Sequence, residues 1–228
     1  MELMNQKLQN AACSLDRHGY CCINAAIPHT AVRELVGLLV PLAKRELRPP
    51  LRIDLRHISS PSTSPIYQLN RPSEINPHIK ASAAFQEIRN MLEMMHLSCH
   101  FVSDALILKD GPHAPATPWH QDVAYDTGPS DPRGGLTVWV PLDAADRVTG
   151  GLRYLVDSHR DGLVRHLTAE ATKVRYIADD TMPSSTVHET TSRPGDLCIH
   201  WRTTVHGSAE VRGSHSRLAW SLGFELRP

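Results

Sequence analysis

His120 and Asp122 flank a single residue in the stretch Pro118-Trp119-His120-Gln121-Asp122. On an extended backbone, side chains at i and i+2 leave the same face. An imidazole and a carboxylate would therefore converge on one point. One further histidine from elsewhere in the chain would complete a 2-His-1-carboxylate facial triad. That set grips Fe(II) from one side and leaves the opposite positions open. In a chain with 14 histidines, His-x-Asp also recurs by chance, and a surface turn with two polar side chains is the competing reading.

The elements that must position these residues fall into two parts. Leu8, Ala11, Ala12 and Leu15 recur at helical spacing and stop at His18-Gly19. Tyr20 to Ile23 reads as a short strand. Pro28 and Thr30 open a second helix striped by Val32, Leu35, Val36, Leu39 and Ala43, which fades at Arg48-Pro49-Pro50. Leu51 to Pro77 reads as loops and short extended pieces. A third helix carries Ala84, Ile88, Met91, Leu92 and Met95.

Beyond Cys99 the period shifts towards two. Ser103–Lys109, Leu136–Leu142, Gly151–Val156, Asp196–His206 and Arg217–Leu226 read as strands. Short strands between Gly/Pro turns, without intervening helices, predict an antiparallel sandwich or barrel. No linker divides the chain, so 1–228 is expected to form one domain, helical over about 1–98 and strand-built over about 99–228.

Three strands carry placement information. Leu136, Val138, Val140 and Leu142 share one face, and Trp139 projects from the other. Leu218, Trp220, Leu222 and Phe224 pack to one side of their strand, leaving Arg217, Ala219, Ser221 and Gly223 opposite. An arginine above a row of tiny residues describes a pocket floor; a surface ion pair is the alternative. His206 closes the third strand just before Gly207. If Arg212-Gly213-Ser214 is a hairpin turn, the strands of His206 and Arg217 are neighbours about 4.8 Å apart, a gap that a five-carbon diacid would bridge.

Composition narrows the function classes. Lys plus Arg total 24 and so do Asp plus Glu, so neither a basic face for nucleic acid nor a polybasic membrane segment is expected. The first residues are too polar for a signal peptide, and no apolar run approaches a membrane span. The five cysteines lack a C-x-x-C spacing and read as reduced thiols of a cytoplasmic protein, mostly buried.

Taken jointly, Trp119-His120-Gln121-Asp122, Trp139-Val140-Pro141-Leu142-Asp143, Gly150-Gly151-Leu152, Ser158-His159-Arg160, Pro194-Gly195-Asp196, His206-Gly207-Ser208 and Arg217 resemble the phytanoyl-CoA dioxygenase family of Fe(II)- and 2-oxoglutarate-dependent oxygenases. Arg217 follows His206 by 11 positions, the family's usual interval. The chain departs from the family at Val156-Asp157-Ser158-His159, where Pro-Gly-Ser-His is common. It is also short for the family, which suggests trimmed loops and a small substrate.

The resemblance implies an α+β, mainly β, fold: a double-stranded β-helix (a cupin-like jelly roll) with N-terminal helices packed on it. It implies that His120, Asp122 and His206 bind Fe(II), with O2 and 2-oxoglutarate as the other reactants. Arg217 would pair the far carboxylate of 2-oxoglutarate, Ser208 would add a hydroxyl, and Trp139 would line its pocket. An intact Asp122 favours hydroxylation of an unactivated C–H bond over halogenation, with release of succinate and CO2. Gln121, Tyr125, Arg133, Tyr67 and Gln68 are the candidate substrate contacts, with Asn70 beside them. Val123 to Gly135 reads as a lid. His113, His159, His200 and His215 are read as structural or exposed.

The expected substrate is a small metabolite, an amino acid or a natural-product intermediate, handled by a monomer or homodimer. Desaturation, epimerisation or cyclisation with the same cofactors remains open. From other classes, a non-catalytic cupin-like binding protein and a zinc hydrolase are the competing readings.

Overall fold

The computed structural model describes residues 2–46, 53–54, 66–125, 134–169, 174–178 and 181–227. The first part runs α1 (Glu2–His18), β1 (Tyr20–Ile23), α2 (His29–Glu46), β2 (Ile53–Asp54) and β3 (Ile66–Asn70). The short helices α3 (Pro72–Ile75) and α4 (His78–Ala81) precede α5 (Ala83–Met94). Ser82 caps α5, its Oγ accepting from the Phe85 amide at 3.3 Å.

The chain then becomes strands: β4 (Cys99–Lys109), β5 (Thr117–His120), β6 (Leu136–Pro141), β7 (Leu152–Leu155), β8 (Leu167–Thr168), β9 (Arg175–Tyr176), β10 (Val187–Glu189), β11 (Leu197–Trp201), β12 (His206–Ser208) and β13 (Arg217–Leu226). Seven of the thirteen described strands form one sheet in the order β1-β11-β6-β13-β4-β3-β2, and four form a second, β10-β7-β12-β5. β8 and β9 make a separate ribbon. The pairings are antiparallel, and the two main sheets face each other as an open, cupin-like sandwich rather than a closed barrel.

Alternation along the larger sheet separates the core from the cavity. Val138, Val140, Leu218, Trp220, Leu222 and Phe224 bury themselves against Leu15, Leu35, Leu39, Phe85 and Ile88 of the helices. This is where most of the apolar burial lies, and the hydrophobic effect holds the helical layer to the sheet. The opposite face carries Trp139 and Ala219, and Arg217 and Ser221 look into a cavity between the sheets.

Four expectations need correction. The run Asp196–His206 is two strands in different sheets, β11 in the larger and β12 in the smaller. A turn over 202–205, closed by the Thr204 amide on the Trp201 carbonyl at 2.8 Å and by Thr204 Oγ1 on the Gly19 carbonyl at 2.7 Å, carries the chain across. Consequently the strands of His206 and Arg217 are not hairpin neighbours: β12 pairs with β5 and β7, and β13 with β4 and β6. His120 and Asp122 do not share a strand either, since Asp122 opens a 3-10 helix, Asp122–Tyr125. Finally, Leu51 to Pro77, expected as loops and short extended pieces, also holds the short helix α3. The helix stop at Arg48-Pro49-Pro50 and most of the expected lid, 126–133, lie outside the described residues.

Candidate metal centre

β12 lies between β5 and β7, in a register that sets His206 opposite His120 on one side and Tyr154 on the other. Directly opposed residues on antiparallel strands bring their side chains into contact, and the two imidazole centroids are 4.2 Å apart. Glycine at 207 permits this approach, because a Cβ there would sit 2.7 Å from the Thr117 carbonyl oxygen. The 3-10 turn after β5 then swings the Asp122 carboxylate back. Its Oδ1 is 3.7 Å from Nε2 of His120 and 3.7 Å from Nε2 of His206. The ligand atoms of the three residues all lie within 4.8 Å of one another.

The remaining polar atoms of these side chains are held from behind. His120 Nδ1 is 2.9 Å from the Pro118 carbonyl and His206 Nδ1 3.0 Å from that of Thr204. A ring nitrogen facing a carbonyl must carry the proton, which leaves both Nε2 lone pairs for a metal. Asp122 Oδ2 accepts from Thr137 Oγ1 at 2.6 Å and lies 3.3 Å from His200 Nε2. His200 Nδ1 in turn faces the Tyr154 hydroxyl at 3.1 Å. A hydroxyl donated to Nδ1 and an Nε2–H donated to Asp122 satisfy this buried chain in one tautomer.

Electrostatics favour the ligating protonation states. Burial, helped by the neighbouring imidazole, pushes both His120 and His206 down to about 4 against the pull of Asp122. Both rings are therefore neutral near pH 7. Burial works to raise Asp122, but His206, His200 and His120 together hold its carboxyl well below the usual range. Two neutral imidazoles and one ionised carboxylate oxygen, with no fourth ligand closing the set among the described residues, suit Fe(II) of the facial-triad type.

The triad lines a cavity of about 420 Å³ walled by both sheets. Arg217, Trp139, Ser208 and Thr117 line the same cavity, with Ser208 Oγ donating to Thr117 Oγ1 at 2.8 Å. Arg217 is 2% exposed, and its Nε and Nη1 are buried without a hydrogen-bond partner among the described residues. Its guanidinium carbon lies 5.5 Å from the Trp139 ring centre. Burial lowers its pKa to about 10, with Asp143 opposing. Lys109, directly across from Arg217 on β4, is no counter-ion; its Nζ is spent on the carbonyls of Pro115 and Ala209 at 2.7 and 2.5 Å. A buried guanidinium with orphaned N–H groups is costly. The carboxylate of a bound acid would supply the missing acceptors.

The other candidates separate by strand alternation. Gln68 and Asn70 reach the cavity wall, whereas Tyr67 turns to the helical side and packs on the core. Tyr125 stands at the mouth, its hydroxyl accepting from the Arg175 amide at 2.8 Å. Gln121 is a correction: it faces away from the cavity, its amide donating to the carbonyls of Gly162 and Thr203 and accepting from the Val164 amide. Its role is to anchor the loop behind the centre. Arg133 lies outside the described residues.

Thr137, Arg175 and Arg202 were not singled out from the sequence, and His200 was read only as structural or exposed. Thr137 was within reach, since it shares a face with Trp139 on β6. A second polar cleft of about 510 Å³ adjoins the centre, reaching Arg202, Ser103 and Gly223 from Asp122 and Thr137. Another hollow, about 660 Å³ beside α5, contains none of these side chains.

A sequence model of the phytanoyl-CoA dioxygenase (PhyH) family matches residues 15–219. The chain belongs to that family. As a PhyH-family protein it is an oxygenase of the Fe(II)/2-oxoglutarate-dependent kind. No curated protein matches the sequence significantly. Among solved structures it is similar to EvdO2 from Micromonospora carbonacea var. aurantiaca complexed with 2-oxoglutarate, at 23% identity and TM-score 0.73, over 96% of this chain and 91% of that one. It is similar to SnoK, a non-heme α-ketoglutarate-dependent carbocyclase of nogalamycin biosynthesis, at 18% identity and TM-score 0.76, over 95% and 83% of the two chains. SnoN, an epimerase of the same biosynthesis, aligns at 20% identity and TM-score 0.72 over 97% and 85%. At these identities the likeness is one of fold.

Proposed function

We propose that this PhyH-family enzyme hydroxylates an unactivated C–H bond of a small, polar, oxygen-rich metabolite, with 2-oxoglutarate as cosubstrate. The observation that carries the reading is the pairing of a complete triad with an orphaned buried arginine across one cavity. A diacid clamp has no purpose in a zinc hydrolase, and a mere binding protein would not need a preset ligand triad.

His120, Asp122 and His206 would hold Fe(II), which supplies oxygen activation coupled to decarboxylation of 2-oxoglutarate when bound. Arg217 binds the far carboxylate of the cosubstrate through its planar fork, and Ser208 and Thr117 add hydroxyls beside it. Trp139 forms the apolar wall and excludes water from that ion pair, which strengthens it. Thr137 and His200 hold Asp122 by one oxygen, so that the other stays aimed at the centre.

Substrate selection is assigned to the mouth and the polar cleft. Gln68, Asn70, Tyr125, Arg175 and Arg202 offer hydrogen bonds to oxygen-rich groups, which favours polar molecules over acyl chains. We further propose that the chain is a single oxygenase domain over 1–228. No helix among the described residues is long and apolar enough to cross a membrane.

A second reading, epimerisation or ring closure, is favoured by the similarity to SnoN and SnoK. One experiment separates the outcomes: incubation with Fe(II), ascorbate, 2-oxoglutarate and a metabolite library, read by mass. Succinate with a gain of one oxygen in a library member supports hydroxylation. Succinate with unchanged mass assigns epimerisation, and loss of two hydrogens assigns ring closure or desaturation. No succinate under any condition contradicts the oxygenase reading.

A further inference from the structure

Cys22 and Cys198 are separated by 176 positions, yet β1 and β11 place them directly opposite each other in antiparallel register. Opposed Cα atoms on such strands are roughly 4.5–5.5 Å apart, inside the roughly 4.4–6.8 Å range that a disulfide spans. Their sulfurs are 2.9 Å apart, closer than two unbonded sulfurs rest in van der Waals contact. Both side chains therefore point at each other without any backbone rearrangement being required. Cys198 is fully buried beside Trp139 and Tyr154, whereas Cys22 is exposed on β1, which among the described residues is an edge strand paired with β11. Cys21, the chain neighbour, points to the opposite face and is buried in the helical core.

We propose that Cys22 and Cys198 form an oxidisable thiol pair that closes to a cross-strand disulfide when hydrogen peroxide reaches Cys22. Only the exposed sulfur is accessible to the oxidant, so it reacts first. Its thiolate attacks one peroxide oxygen; an S–O bond forms, the O–O bond breaks, and with one proton the leaving oxygen departs as water. The Cys198 sulfur then attacks the Cys22 sulfenic acid; the S–S bond forms, the S–O bond breaks, and a second water leaves carrying the Cys198 proton. Two thiols lose two electrons, and the peroxide gains them.

The bond would staple the edge strand and α1 to β11, the strand that leads into the turn before His206. Because it closes a loop of 176 positions, it would constrain the unfolded chain strongly. This inference does not depend on the substrate or on the metal centre.

The test uses the full chain, reduced and then freed of reductant, with a chelator present to exclude metal-driven oxidation. Hydrogen peroxide is added in small excess, and intact mass and unreduced peptide maps are recorded. The expected result is a loss of two hydrogens, with the Cys22 peptide joined to the Cys198 peptide. C22S, an exposed change that leaves the core intact, abolishes the loss, and C21S keeps it. The thermal midpoint of the oxidised wild type rises by roughly 5–10 °C and returns on reduction, while C22S shows no such redox dependence. An unchanged mass, oxygen added at Cys22 without cross-linking, or a two-hydrogen loss that persists in C22S would overturn the proposal.

Discussion

At the triad, His120, Asp122 and His206 each have their outward polar atom engaged, by Pro118, by Thr137 and His200, and by Thr204. In the same cavity, Arg217 holds two nitrogens without an acceptor among the described residues. One end is satisfied from behind and presents lone pairs; the other is unsatisfied and presents N–H groups. A metal needs preset donors and tolerates little reorganisation, whereas a buried cation can leave its demand to be met by the ligand. The difference shows which part of the site is complete as folded and which part is completed by the cosubstrate.

The comparison can be broken first at the triad. Replacing Asp122 with Ala should reduce succinate formation to background, measured with Fe(II) and 2-oxoglutarate supplied in excess. Activity above background would detach the carboxylate from the metal.

The clamp comes next. Arg217→Met should raise half-saturating 2-oxoglutarate by roughly 10- to 100-fold, the worth of one charge-assisted hydrogen-bonded pair, and Arg217→Lys should recover part of the loss. An unchanged half-saturation in the Met variant would remove Arg217 from that end of the comparison.

Smaller effects sharpen the triad side. His200→Phe or Thr137→Val should weaken Fe(II) binding by about tenfold, as loss of a group behind a ligand does, with the 2-oxoglutarate requirement nearly constant once iron is saturating. Equal affinity in both variants would mean that Asp122 needs no support.

The metal-free protein should also respond to pH. His120 and His206 are held down to about 4 from 6.5, so between those values the unfolded chain binds protons that the folded one refuses. Stability therefore rises with pH across that window and falls on acidification through it. Bound metal keeps protons off both folded rings, so it should preserve the slope and carry it to lower pH. A chemical-denaturation series from pH 4 to 7 checks the sign.

The smallest change is expected at the mouth. Gln68→Ala should leave 2-oxoglutarate binding within about twofold, because sites without shared partners act independently, while altering turnover of the polar substrate.

Much of this was legible in the residues. The helical stripes marked by Leu15, Leu35, Leu39 and Ile88 and the two faces of β13 follow from period alone. His206 and Arg217 were readable as candidate site residues, but not the strand pairings that bring both to one cavity. Thr203 and Thr204 are compatible with a continuing strand, and nothing local announces the turn that carries the chain between sheets. The same turn hides His200: it remains on the larger sheet, close to Asp122, while His206 crosses to the smaller one. Gln121 misled for a related reason, since an amide beside two ligands looks like a substrate contact until its backbone partners on distant loops are seen. The pairing of Cys22 with Cys198 was equally invisible, because it depends on strand register across 176 positions.

The central claim is most directly tested by anaerobic titration of the metal-free chain with Fe(II) and then 2-oxoglutarate, followed by visible absorption. A weak charge-transfer band should grow to one equivalent in the wild type, require far more 2-oxoglutarate in Arg217→Met, and be absent in Asp122→Ala. A wild-type protein that gives no band, or variants that give the same band at the same concentration, would contradict the account.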